Sequence, residues 1–189
     1  MVNNAASYSE LYPWYAAIEG DDLEQGDIIE TCPVFAITLP SGDLHAAALE
    51  AHFDTLERDV IIMTQSCDLV KDHSKVTEVL LCPVWHLDEV GEENKYFRQP
   101  KGREEIRRGN IPGYHMLNVS SLSGFERPYR IVDFHRVFSM PLEFMRGLTQ
   151  ACGKRLRLLP PYREHLGQAF ARYFMRVGLP VDIPPFKNK

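Results

Sequence analysis

Residues 60–70 read Val-Ile-Ile-Met-Thr-Gln-Ser-Cys-Asp-Leu-Val, and no other stretch restricts the fold as much. Val60, Ile61, Ile62 and Met63 follow one another without helical spacing, and three of them are β-branched, which defines a short strand buried centrally in a sheet. The run then stops on Gln65, Ser66, Cys67 and Asp68. Either the strand ends by presenting Cys67 and Asp68 to a site, or a core strand ends in a polar turn. If the strand persists that far, alternation sends Ser66 and Asp68 to one side and Cys67 to the other, and thiol and carboxylate then do not form one catalytic pair. Asp68 is then expected to bond backbone amides near Val70 or Lys71, and Cys67 to be at least partly buried.

Strand signals dominate the first two thirds of the chain. Gly26-Asp27 opens an apolar run in which Pro33 marks a bulge or an edge, and Asp27 itself reads as a turn residue bonding its neighbouring backbone. Pro40-Ser41-Gly42-Asp43 is a turn signal suited to a hairpin or an excursion loop. A partner strand follows from Lys75 and ends at Pro83. Residues 88–113 are charged throughout and read as a surface insertion holding a short helix near residues 103–108. "YHMLNVSS" and "RPYRIVDFHRVFSM" return to strand patterning, and "PLEFMRGLTQ" is a helix opened by proline. The last element is a helix over 161–177. Leu166, Ala169, Phe170, Tyr173, Phe174 and Val177 form its apolar stripe, His165, Gln168, Arg172 and Arg176 its polar face, and Gly178 and Pro180 its stop.

These elements give an α+β fold: a small, bent antiparallel sheet or SH3-like barrel capped by the C-terminal amphipathic helix. The division is an N-terminal arm at 1–24, a β-rich core at 25–140 with the insertion at 88–113, and a helical cap and tail at 141–189. No apolar run reaches the roughly 20 residues that cross a bilayer, and no secretory signal opens the chain, so no membrane partner and a cytoplasmic setting are expected. In that setting Cys32, Cys67, Cys82 and Cys152 are reduced thiols.

The net charge of −5 is unevenly spread: residues 1–58 carry −10, residues 59–140 carry −1, and residues 141–189 carry +6. Two ends that neutralise each other in the fold would explain this. A basic C-terminal surface for nucleic acid is the alternative, with Arg155, Arg157, Arg172 and Arg176 as its contacts.

Three constellations could carry chemistry. Cys67 at a strand end suits a nucleophile, with Asp68 beside it and His73, His86 or His115 as its base; His86 is the leading candidate. Cys67, His73, Cys82 and His86 form C-x5-H-x8-C-x3-H, a set of soft ligands without the paired knuckle spacing of a zinc site, so no metal or other cofactor is expected. Gln65, Ser66, Arg58, Arg172 and Arg176 are candidate binding residues. A glycine-rich phosphate loop, H-E-x-x-H and G-x-S-x-G are absent from the sequence, which argues against nucleotide hydrolases, zincins and serine hydrolases.

The combination of "QGDII", "DVIIMTQSCDL", "VLLCPV" and "RLRLLPPYREHLGQAFARYFMRVGLP" resembles an uncharacterised bacterial family whose hallmark is an apolar strand closing on Gln-Ser/Thr-Cys-Asp. More remotely, Gly-Asp-Ile, an Arg ahead of an apolar strand and a strand ending in proline are similar to the MazF/PemK toxins, SH3-like barrels that cleave RNA. That resemblance places Arg58 at the toxins' catalytic arginine, just before a strand beginning at Asp59 or Val60. Asp59 replaces the proline expected next, and Val84, Trp85 and His86 replace the expected hydroxyl residue. The leading functional expectation is a binding or adaptor module of a bacterial stress or defence system. It would recognise a protein partner, or nucleic acid weakly. A Cys67-dependent hydrolase and a MazF-like ribonuclease are the alternatives.

Overall fold

Val60, Ile61 and Ile62 close a long central strand that is covered on both faces. The computed structural model describes residues 12–38 and 52–175. In chain order these form β1 (Tyr15–Ile18), β2 (Asp27–Thr38), β3 (His52–Ile62), β4 (Glu78–His86), α1 (Leu87–Glu93), α2 (Pro100–Arg107), β5 (Tyr114–Leu117), β6 (Ser120–Leu122), β7 (Phe125–Arg127), β8 (Arg130–Asp133), β9 (Phe138–Pro141), α3 (Leu142–Cys152), β10 (Arg155–Leu158) and α4 (Tyr162–Phe174). Short 3-10 turns lie at Ser66–Asp68 and Lys95–Arg98.

Eight strands make one antiparallel sheet in the order β1-β10-β2-β3-β4-β8-β5, with β9 beside β4; β6 and β7 form a separate hairpin. The fold is α+β with a C-terminal helix, as expected, but the sheet does not close into a barrel: β1 pairs with β10, and β5 with β8, at its two ends. The reason lies in the packing. Ile28, Ile61, Cys82, Val132 and Leu156 face one core, which Tyr162 and Leu166 of α4 complete. Ile29, Val60, Ile62 and Leu81 face a second core with Leu142 and Met145 of α3. A sheet buried on both faces by helices needs no closure, and its central strands are continuously apolar where a half-exposed strand alternates.

Pro83 does not end its strand. It lies within β4 opposite Val60, and β4 continues to His86. Its missing N–H shows on the other edge, where the ladder to β9 stops at Leu81 and the ladder to β8 resumes at Val84. Residues 134–137 join β8 to β9 there, with Phe134 buried in the core. The bulge in β2 falls between Ile29 and Cys32, at Thr31, whose φ of 51° is held by its N–H donating to Asp59 Oδ1 at 3.0 Å. Pro33 itself sits on an edge, since β10 accompanies β2 only at Asp27 and Ile28.

The charged segment after β4 is more than a surface insertion. Val90, Phe97 and Ile106, from α1, the turn and α2, bury against Ile131 and Leu87 as a third core. The segments expected as arm and cap also enter the sheet, through β1 and β10. Pro141 and Pro161 stand at the N-caps of α3 and α4. Along α4, Leu166 is fully buried, Phe170 is half-buried, and Phe174 is 60% exposed, so the apolar stripe is narrower than its sequence spacing suggested. Arg176, Val177, Gly178, Pro180 and the turn at 40–43 lie outside the described residues.

Candidate functional site

The polar end of the opening motif is a 3-10 turn, and this changes which side chains it presents. Ser66 turns inward, its Oγ accepting from Gln25 N at 3.1 Å, while Gln25 Nε2 donates to Met63 O at 3.0 Å. Thr64 Oγ1 accepts from Leu80 N at 2.7 Å, so a hydroxyl takes over one ladder bond as β3 ends. Cys67 is exposed, correcting the expectation that it is partly buried; strand alternation has ended before it. Its Sγ lies 3.8 Å from Gln65 Oε1 and 3.7 Å from Asp68 Oδ1, in a shallow depression with Asp22 and Glu24. Asp68 does hold the following loop, but by its carbonyl, which accepts from Lys75 N at 3.0 Å; its carboxylate pairs with Lys75 Nζ at 3.5 Å.

The histidines expected near Cys67 are placed elsewhere. His73 lies in the exposed loop that follows, His115 is on β5, and His86 caps α1 in a reciprocal box with Glu89, whose Oε2 accepts from His86 N at 2.9 Å. Cys82 is buried in β4, and burial, reinforced by Asp133, pushes its thiol up to about 12. The Cys67, His73, Cys82 and His86 set therefore does not converge, and among the described residues no group of three His, Cys, Asp or Glu could hold a metal ion.

Arg58 lies inside β3, which begins at His52, and not ahead of a strand as the toxin resemblance implied. Its guanidinium stands 5.2 Å from the Trp85 ring centroid, with Arg136 at 5.7 Å from the same ring. Arg155 and Arg157 are likewise committed internally. Asp27, fully buried, accepts from Arg155 Nε at 2.9 Å and from Arg157 Nε at 2.5 Å. Glu24 then joins Arg157 to Arg163, with Arg163 Nη1 at 2.7 Å. The acidic N-terminal and basic C-terminal segments thus neutralise each other, and two arginines considered for nucleic acid are part of the core. Asp27 also accepts from Glu24 N at 3.2 Å, the turn bond its sequence suggested. The pairing with β10 was readable only as a mismatch of charge between the two ends.

Two concave surfaces flank α4. On one side an open groove of about 800 Å³ is lined by Gln25, Thr64, Gln65, Asp68, Glu78, Glu164, Gln168 and Phe170, among others. Gln65 and Asp68 of the motif are at its mouth; Ser66 serves the turn behind it. Lys75 reaches Asp68, and Arg163 Nη2 reaches Glu164 at 3.0 Å, whereas Glu78 accepts from the neutral Ser139 Oγ at 2.8 Å and has no ion pair with a described residue. On the other side a cleft of about 470 Å³ lies between α2, β5 and α4, and Arg172 faces it. Comparison with protein-family models, curated proteins and solved structures returns no match.

Proposed function

We propose that the chain is a non-catalytic binding module that docks a basic, extended segment of a partner protein in the groove between the Gln65–Asp68 turn and α4. The observation that carries this reading is the groove's lining: three carboxylates, the amides of Gln25, Gln65 and Gln168, and the half-buried ring of Phe170 along one open surface. Amides bond an extended backbone, carboxylates select lysine or arginine, and the ring covers an apolar side chain. Two packed cores hold the groove's walls, so little ordering accompanies docking.

Thiolate catalysis needs a base or a cation beside the sulfur. The neighbours of Cys67 are an amide and carboxylates, which favours a binding role for the motif over a Cys67-dependent hydrolase. Arg58, stacked on Trp85 within a strand, gives a MazF-like ribonuclease no support. The bacterial stress or defence setting rests on the resemblance of the motif to the uncharacterised bacterial family and to the toxins.

Selection of displayed random 12-residue peptides tests the reading. Enriched sequences should carry net positive charge, and a Glu78→Lys, Glu164→Lys variant should lose them. Enrichment of acidic or purely apolar peptides would refute it.

A further inference from the structure

The cleft across α4 has the opposite character. Arg107 at the end of α2 and Arg108 just after it, His115 from β5, and His165 and Arg172 from α4 line it, together with the apolar surfaces of Ile106, Pro112, Tyr114, Met116 and Ala169. None of its lining residues is a carboxylate. Glu104, outside the lining, holds Arg107 Nε at 2.6 Å and Arg108 Nε at 2.7 Å, fixing both guanidiniums while leaving each further donors. Glu104 offsets one of those two charges, and Arg172 has no ion pair with a described residue; its Nε donates to Gln168 O at 3.3 Å. The cleft therefore stays cationic within a chain whose net charge is −5.

We propose that this cleft binds an organic phosphate of mononucleotide size, the phosphate held by Arg172 and the two histidines, and the organic part lying on Tyr114 and Met116. A volume of about 470 Å³ suits a small organic ligand and is more than a bare phosphate fills. Guanidinium forks match phosphate oxygens in pairs, and imidazole N–H groups complete the shell. The arrangement also explains the state of His115. Burial, followed by the positive neighbours His165 and Arg172, pulls it down to about 4, so the groups lining the cleft oppose a further proton. A phosphate dianion would reverse that repulsion. Beyond those two, the charged groups around His115 are Glu104 and Arg107 of α2 and Arg108 at its C-cap, and its ring lies against Phe134.

The test is a titration of the full chain with AMP, inorganic phosphate and adenosine, followed by the histidine ring resonances in NMR. AMP should shift His115 and His165 saturably and raise the midpoint of His115. Inorganic phosphate should bind more weakly, and adenosine more weakly still. Arg172→Glu, an exposed substitution with no ion pair to break among the described residues, should weaken AMP by about tenfold or more. Three results would each overturn the proposal: histidines unmoved at millimolar AMP, adenosine binding as well as AMP, or unchanged affinity in Arg172→Glu. Glu164→Gln, on the groove side of α4, should leave AMP binding intact, which separates this site from the peptide groove.

Discussion

Arg155 Nε donates to Asp27 Oδ2 at 2.9 Å in the interior, where both residues are shielded from water and 128 positions separate them in sequence. The other two nitrogens of Arg155 donate to the carbonyls of Gly20 and Asp22, at 2.7 and 2.6 Å, so every donor group of the guanidinium is engaged. Asp27→Ala would leave the buried Arg155 guanidinium without its counter-charge, and Arg157 with Glu24 alone, and should cost about 3–5 kcal/mol. Asp22→Ala should change stability by less than about 0.5 kcal/mol, because the hydrogen bonds of the arginines to Asp22 go to its carbonyl, which the substitution keeps. Urea unfolding of the two variants distinguishes a structural network from a general effect of removing acid.

The C-terminal helix allows a graded test of packing. Leu166 is fully buried, and Leu166→Ala should cost about 2–5 kcal/mol. Phe170 is half-buried and meets Phe134 edge-on at 5.4 Å, so Phe170→Ala should cost roughly 2–3 kcal/mol. Phe174→Ala and Arg172→Ala, both at exposed positions, should each stay within about 1 kcal/mol of the parent. Equal losses at Phe170 and Phe174 in thermal or urea unfolding would contradict the placement of α4.

Much of this fold is legible in the sequence, and the failures have physical causes. The strand at Val60–Ile62 and the proline-opened helices follow from local signals, which depend on neighbours in sequence. The barrel was a misreading of the same residues. Four successive apolar side chains report a strand covered on both faces, whereas a small barrel with a wet exterior requires alternation. Pro83 looks like a terminator because proline breaks ladders, yet it breaks only the edge on which its N–H would donate. The hardest feature to see was the pairing of Asp27 with Arg155 and Arg157, since charge partners across a sheet leave no local pattern. The groove and the cleft escaped for the same reason: each draws its lining from elements far apart in sequence, and of that lining only Gln65, Asp68, His115 and Arg172 stood out as functional candidates.

Acid stability should report His115. Burial holds it at about 4 in the folded chain against an ordinary 6.5, so between those values the unfolded chain binds a proton that the folded chain does not. Stability is then fully present above about pH 6.5 and is lost as pH falls toward 4. The half-buried ring makes the total loss of the order of 2 kcal/mol. His115→Gln should flatten the stability profile between about pH 6.5 and 5, a window above the range where carboxylates titrate. An unchanged slope in urea unfolding would contradict the burial of the ring.

Thiol labelling should divide the cysteines two and two. Cys67 and Cys152 are exposed, whereas Cys32 and Cys82 are buried, with thiols that burial pushes up to about 11 and about 12. Iodoacetamide at pH 8 should therefore alkylate Cys67 and Cys152 in the native protein, and Cys32 and Cys82 only after denaturant is added. Mass spectrometry of the labelled peptides decides it, and native labelling of Cys82 would contradict the buried β4.

The central claim is that the groove beside the Gln-Ser-Cys-Asp turn binds a basic segment without thiol chemistry. Its most direct test is the affinity of one selected basic peptide, measured by fluorescence anisotropy for the parent chain, Glu78→Gln, Glu164→Gln and Cys67→Ser. Loss of a charge-assisted contact should weaken binding by about tenfold in each glutamine variant, while Cys67→Ser binds as the parent does. Affinity unchanged from the parent in both glutamine variants, or binding abolished by Cys67→Ser, would contradict it.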